Sequence, residues 1–205
     1  MLGASSQQRV LGGIIGVLAG VLMALLLVPA TSVISTLERD SMQDSLTELA
    51  NRREILRRGE VLEASGVGYA VAVVDVDLFK AVNDAHGHHV GDQVLRALSA
   101  HLLATDGDVG RLGGEEFAIL FRTAQQGDYF ERLEDLRKTL ETTDISTAVG
   151  PVAVTVSIGV DEPTLTGASF AESLRRADDA LMLGKRSGRN VTVRSNPRTL
   201  SLIHI

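Results

Sequence analysis

Tyr69-Ala-Val-Ala-Val-Val-Asp-Val-Asp-Leu-Phe-Lys80 is the stretch on which the fold turns. Its first eight residues, Tyr69 to Val76, alternate valine with alanine and read as a buried β-strand. Asp75 stands at the end of that strand and Asp77 just beyond it, and two acids at a strand end suggest a site. Outward from this strand, Phe79 to His86 and Val90 to Leu103 have helical spacing, and Arg111 to Phe121 places Gly113-Gly114 between two short strand-like pieces, a hairpin pattern. Asp128 to Thr142 predicts an amphipathic helix, Val152 to Val160 a strand, Phe170 to Lys185 a helix closing on Ser187-Gly188, and Asn190 to Val193 a last strand. Strands alternating with helices around one hairpin predict an α+β, palm-like domain with a mixed central sheet flanked by helices, and no internal repeat.

Composition narrows the chemistry. The chain has 205 residues, no cysteine, no tryptophan and a net charge of −6. Without thiols, disulfides and thiolate metal sites are excluded, so a metal would sit on carboxylates, carbonyls or imidazoles, an inventory suited to magnesium. A mildly acidic chain with few aromatic residues offers neither a phosphate-tracking basic face nor a base-stacking platform, so no nucleic-acid partner is expected. About 165 residues follow from Glu38 onward, enough for one domain with its own core.

Residues 1–9 form a short tail before Val10 to Val28, an uncharged apolar run able to span about 30 Å of hydrocarbon as a helix. Pro29 marks its expected end, which gives a transmembrane helix over 10–29 and a helical stalk over 30–43. A cleaved signal peptide fits less well, because the apolar run exceeds the usual length and only Arg9 precedes it. Arg39, Arg52, Arg53, Arg57 and Arg58 follow the span, so the expected topology is single-pass in the inner membrane, with the C-terminal domain cytoplasmic. At the other end, residues 196–205 form a tail. Its last part, Leu200 to Ile205, reads as a translated sequencing adapter and is expected to be artefactual.

Three acidic clusters stand out: Asp75 with Asp77, Asp84 and Asp92 around Gly87-His88, and Glu115-Glu116 after the glycine pair. Carboxylates brought together repel unless a cation neutralises them, and a divalent ion on triphosphate oxygens is one resolution. Solvated turn acids beside ordinary hairpin glycines are the bland alternative. The ordered set Asp75-Val-Asp-Leu-Phe-Lys80, Asn83-Asp84, Gly87-His88, Gly91-Asp92 and Arg111-Leu-Gly-Gly-Glu-Glu-Phe117 resembles the signature of GGDEF-domain diguanylate cyclases, in its GGEEF form. Asp44-Ser-Leu-Thr-Glu-Leu-Ala-Asn-Arg-Arg53 upstream, with Ser157-Ile-Gly159 and Lys185-Arg-Ser-Gly-Arg-Asn190 downstream, extends the resemblance over a catalytic domain of 44–195.

This resemblance implies bacterial signalling through condensation of two GTP into cyclic di-GMP and two pyrophosphates by a metal-dependent homodimer. It implies magnesium, or manganese, on Asp75, the Val76 carbonyl and Glu115, with Glu115 as proton acceptor and Glu116 completing the acidic set. It also implies guanine reading by Asn83 and Asp92, phosphate contacts from Lys80, Lys185 and Arg189, and close approach of the nucleotide to Gly113 and Gly114. A catalytically silent module that binds GTP or a protein partner is the alternative, and the intact acids argue against it. Glu48 stands where the family often has glycine, Leu78 at a position often aromatic or polar, and Met182 where tyrosine is common. Ala104 and Gly107 occupy the offsets of the family's Arg-x-x-Asp product-inhibition site, so feedback through that site is expected to be absent.

Overall fold

The computed structural model describes residues 42–122, 129–162 and 168–195. The chain divides into Met1–Met42 and Gln43–Ile205. The expected membrane helix and nearly all of the stalk, together with the tail from 196, lie outside the described residues. Among the described residues no helix is long and apolar enough to cross a membrane.

Helix α1 (Arg52–Ala64) comes first, followed by β1 (Tyr69–Val76), α2 (Phe79–His86), α3 (His88–Leu103), β2 (Asp108–Gly113) and β3 (Glu116–Arg122). Then come α4 (Tyr129–Thr142), β4 (Ile145–Thr147), β5 (Gly150–Val152), β6 (Val156–Asp161), α5 (Phe170–Arg186) and β7 (Thr192–Arg194). Five strands form one sheet in the order β2-β3-β1-β6-β7, antiparallel except for the parallel β6–β7 edge. The expected mixed sheet is therefore present. β1 lies inside it with both faces buried, which is why its sequence is apolar at nearly every position.

The period-two alternation of β1 divides the core. Ala70, Ala72, Val74 and Val76 face Val94, Leu98 and Leu102 of α3 and Leu133 and Leu140 of α4. Tyr69, Val71 and Val73 face Ile55 and Leu62 of α1 and Ala177 and Leu181 of α5. Caps set two helix starts: Asn51 accepts the Glu54 N–H at 3.0 Å ahead of α1, and Ser169 with Glu172 forms a capping box ahead of α5.

Three readings need correction. Helix α1 is absent from the sequence-based elements because its many arginines and glutamates mask a narrow buried stripe of Ile55, Gly59 and Leu62. The strand expected over Val152 to Val160 is two strands with a break at 153–155. Val152, Val154 and Val156 keep burying alternate side chains through the break, while the Thr155 carbonyl leaves the ladder to accept the Asp77 N–H at 2.9 Å. The last strand begins at Thr192, because Arg189 and Asn190 have left-handed backbone, φ 67° and 47°.

Candidate active site

β1 ends where its two neighbours begin, so Asp75 is paired across the sheet with Glu116 of β3 on one side and Ser157 of β6 on the other. Alternation points Asp75 to the same face as Val71 and Val73, toward α5. That helix lies close because Gly159 of β6 has no side chain: a Cβ there would come within 2.0 Å of the Ala177 carbonyl oxygen. The close approach brings Lys185, in the last turn of α5, to Asp75 with Nζ 2.7 Å from Oδ2. Asp75 is only 5% exposed. Burial pushes its carboxyl up to about 6; Lys185 opposes the rise by hydrogen bond and charge, and the negative charges of Glu115 and Glu116 add to it.

The β2–β3 turn delivers those two glutamates. The Val76 N–H donates to the Glu115 carbonyl at 3.3 Å, tying the turn to the end of β1. Gly113 and Gly114 have φ of +146° and +52°, and a Cβ on either would meet nothing within 4 Å. Backbone conformation, not crowding, calls for glycine here, and the space over the turn stays open to a ligand. Arg111 braces the turn from below: Nε and Nη2 donate to the Gly114 carbonyl at 3.0 and 2.7 Å, and Nη1 donates to Asp44 at 3.0 Å. Asp44 also accepts from the Thr47 N–H and hydroxyl at 2.9 and 2.7 Å. Burial raises the Asp44 carboxyl, but the Thr47 and Arg111 hydrogen bonds outweigh it and hold the group below the usual carboxylate range.

The proposed base-reading pair sits on the α2–α3 hairpin. Gly87, φ +83°, turns the chain there and its N–H donates to the Asn83 carbonyl at 2.8 Å. Asn83 packs over Gly91, where an added Cβ would come within 2.0 Å of Asn83 Oδ1, and Asp92 is the next residue of α3. Asn83 Oδ1 is buried with no hydrogen-bond partner. An orphaned buried acceptor is costly, and a ligand N–H would satisfy it. Lys80 is exposed and paired with Asp84 at 2.9 Å, the ordinary i,i+4 arrangement. Arg189 makes no ion pair among the described residues and stands exposed on the loop after α5.

Asp75, Val76, Gly113, Gly114, Glu115, Glu116 and Lys185 thus gather at one end of the sheet, while Asn83 and Asp92 lie on the α2–α3 hairpin that follows β1. Asp77 does not join them. Its carboxylate accepts from the Thr155 hydroxyl at 2.8 Å, the Ser157 hydroxyl at 2.7 Å and the Asn190 N–H at 2.9 Å, which makes it a tie between loops. Arg111 and Asp44 have no role in the sequence reading beyond motif membership. The signal available for them is an arginine two residues before a glycine pair and an Asp-x-x-Thr turn.

Among the described residues, no three acidic or imidazole side chains converge to chelate an ion by themselves. The donors present are hard oxygens: the Asp75 and Glu115 carboxylates and the Val76 carbonyl. Such a set fits magnesium, which characteristically takes one or two carboxylates and completes its shell with water and substrate phosphates. Burial is the main cause of the raised Asp75 carboxyl, with the charges of Glu115 and Glu116 adding to it, and a cation bound there would stabilise the ionised form against both.

The family described as diguanylate cyclase, GGDEF domain, matches residues 41–191. Diguanylate cyclase DosC of Escherichia coli K12 is 34% identical over 156 residues, 72% of this chain and 34% of DosC. Diguanylate cyclase DgcM of the same organism is 37% identical over 161 residues, 75% of this chain and 38% of DgcM. The chain therefore spans about a third of the length of the curated relatives it matches. The GGDEF domain of DgcB from Caulobacter crescentus, solved in complex with c-di-GMP, is 32% identical with a TM-score of 0.69, covering 77% of this chain and 94% of that one. With the whole acidic turn and its supporting strands inside the matched region, the chain belongs to the GGDEF-domain diguanylate cyclase family.

Proposed function

We propose that this chain is a diguanylate cyclase that condenses two GTP into cyclic di-GMP and two pyrophosphates. The observation that carries the reading is the Asp75 carboxylate, raised by burial to about 6 with Glu115 and Glu116 adding to the rise and Lys185 opposing it: three acids beside one lysine, more negative charge than that cation neutralises. Asp75, the Val76 carbonyl and Glu115 hold magnesium, or manganese, with Glu116 beside them, and the bound ion supplies charge neutralisation for the triphosphate. Lys80, Lys185 and Arg189 contact phosphate oxygens, while the open turn at Gly113 and Gly114 lets the nucleotide lie against the backbone. Asn83 and Asp92 complement the guanine edge, and the unpaired Asn83 Oδ1 supports that role by needing a donor such as a base N–H.

Each domain holds one GTP, and the 3′-hydroxyl of one nucleotide attacks the α-phosphorus of the other. The attack is reciprocal: in each of the two steps the hydroxyl proton passes to Glu115 of that site as a bond to pyrophosphate breaks, so closing the ring and releasing two pyrophosphates needs a homodimer with two sites facing each other. The apolar run Val10 to Val28 anchors the chain in the inner membrane with the catalytic domain in the cytoplasm, where GTP is available, and the stalk over 30–43 raises the local concentration of partners.

The test is product formation from GTP and magnesium by the full chain in detergent micelles or nanodiscs, beside Glu115→Ala. Cyclic di-GMP from the parent alone supports the reading. A parent that is dimeric and binds GTP yet releases no pyrophosphate overturns it in favour of a silent module.

A further inference from the structure

Arg137, on α4, is an unusual place for an arginine: it is 9% exposed and carries three partners. Its Nε and Nη2 donate to Glu134 at 3.0 and 2.8 Å, and its Nη1 donates both to Glu141 at 2.9 Å and to the Asn190 side-chain oxygen at 2.7 Å. Glu134 holds the guanidinium with the fork geometry of a bidentate pair. Asn190 is then gripped from three sides: Oδ1 by Arg137, Nδ2 by donating to Glu141 at 2.9 Å, and its backbone N–H by donating to Asp77 at 2.9 Å. These contacts join residues 53, 49 and 113 positions apart in the chain.

The held segment is strained. Gly188, Arg189 and Asn190 have φ of 123°, 67° and 47°, three successive residues in or near left-handed space, two of them without glycine's freedom. A non-glycine residue there carries a conformational cost and persists only where its surroundings over-determine it. The over-determination here falls on Asn190, whose side chain and N–H are all bonded, and not on Arg189, whose backbone N–H donates to Gly184 at 3.1 Å while its side chain is exposed. Locking residue 190 fixes the direction in which the preceding side chain leaves the loop.

We propose that Arg137 and Asn190 are positioning residues which aim Arg189 at the nucleotide's phosphates, with Asp77 completing the grip from just beyond the end of the strand that carries Asp75. The inference rests on the reading of Arg189 as a phosphate contact. An arginine aimed in advance loses less freedom on binding a phosphate than one on a free loop, so the network acts on substrate affinity. Glu134 and Glu141 leave the cluster with a net negative charge around Arg137, so the anion is drawn by Arg189 and not by this buried arginine.

The experiment uses the full chain and a double-mutant cycle, measuring the affinity of a non-reactive GTP analogue in magnesium, the KM for GTP, and thermal unfolding. Arg189→Ala should weaken analogue binding about tenfold, the scale of a charge-assisted hydrogen bond. Asn190→Gly tolerates the left-handed backbone and removes only the side-chain grip, so it tests the idea in a variant whose loop has no conformational reason to unfold. It should weaken binding by a similar factor, as should Arg137→Ala, and neither should weaken it further in an Arg189→Ala background. If Arg189→Ala binds the analogue like the parent, the phosphate reading of Arg189 fails and this proposal with it. If Arg189→Ala is weakened but Asn190→Gly binds normally, or its effect multiplies with that of Arg189→Ala, the phosphate reading stands and the positioning role is overturned.

Discussion

Replacing Asp75 by asparagine should stabilise the metal-free protein while abolishing cyclase activity. Burial pushes the Asp75 carboxyl from the ordinary 3.8 to about 6, with Glu115 and Glu116 adding to the rise against Lys185. An acid whose folded-state value is raised binds its proton more tightly in the folded chain than in the unfolded one. Its contribution is therefore most favourable at low pH and is lost as pH rises from about 4 to about 6, then stays constant. Moving a carboxyl from 3.8 to about 6 corresponds to about 3 kcal/mol, present as destabilisation at neutral pH. Asparagine keeps the shape of the protonated acid and carries no charge, so it removes that term; Lys185, 23% exposed, can recover water for its ammonium. The expected gain at pH 7.5 is about 1–3 kcal/mol, or about 3–10 °C in melting temperature for a domain of this size. The assay is urea unfolding of parent and Asp75→Asn in chelator at pH 4.5, 6 and 7.5, with product formation measured in parallel. The gap between the two proteins should be small at pH 4.5 and full at pH 7.5, and magnesium with a GTP analogue should stabilise only the parent. A variant that is less stable than the parent at pH 7.5, or a gap that does not change with pH, would refute the reasoning.

Glu48 holds a left-handed φ of 61° at an exposed site, so Glu48→Gly should raise stability by about 0.5–1 kcal/mol in a thermal melt. Asp77→Ala removes the acceptor for two hydroxyls and one backbone N–H in a buried place, and chemical denaturation should show a loss of about 3–5 kcal/mol. Arg111→Ala frees the Gly114 carbonyl and should lower kcat by about tenfold or more, with far less effect on melting temperature, because the turn it braces carries Glu115. Cyclic di-GMP at low micromolar concentration should leave the initial rate unchanged; Gly107→Asp should destabilise the domain instead of creating a feedback site, since a Cβ there would come within 2.3 Å of Ile119.

What the sequence made legible, and what it did not, divides along physical lines. β1 could be read because a strand with both faces buried has one economical composition, and Asp75 could be read because an acid ending such a strand has no solvent to excuse it. The glycine pair of the turn was legible for the same reason: positive φ at two successive residues calls for glycine. Helix α1 was not legible, because its buried residues are Glu54, Ile55, Gly59 and Leu62, of which only Ile55 and Leu62 are large and apolar, so it shows mostly charge to a pattern search. The break at 153–155 was hidden because side-chain alternation continues through it, and only the hydrogen-bond ladder reveals that the chain has turned to serve Asp77.

The same distinction separates residues that would touch substrate from residues that hold them. A phosphate-binding arginine or a metal-binding aspartate belongs to a local motif, so its identity is constrained by neighbours in sequence. The groups that aim it are constrained by neighbours in space: Asp44 reaches Arg111 across 67 positions, and Asp77 reaches Asn190 across 113. Asp77 makes the point most sharply. By sequence it is the twin of Asp75, two residues away on the same face, yet three donors already occupy it while Asp75 faces one lysine and two like charges. A carboxylate satisfied by neutral donors stays as it is when a cation arrives, whereas one crowded by other acids is relieved. Of two acids that the motif makes equivalent, the electrostatic surroundings therefore favour Asp75 as the proposed metal ligand, while Asp77 ties down the loop that carries Arg189.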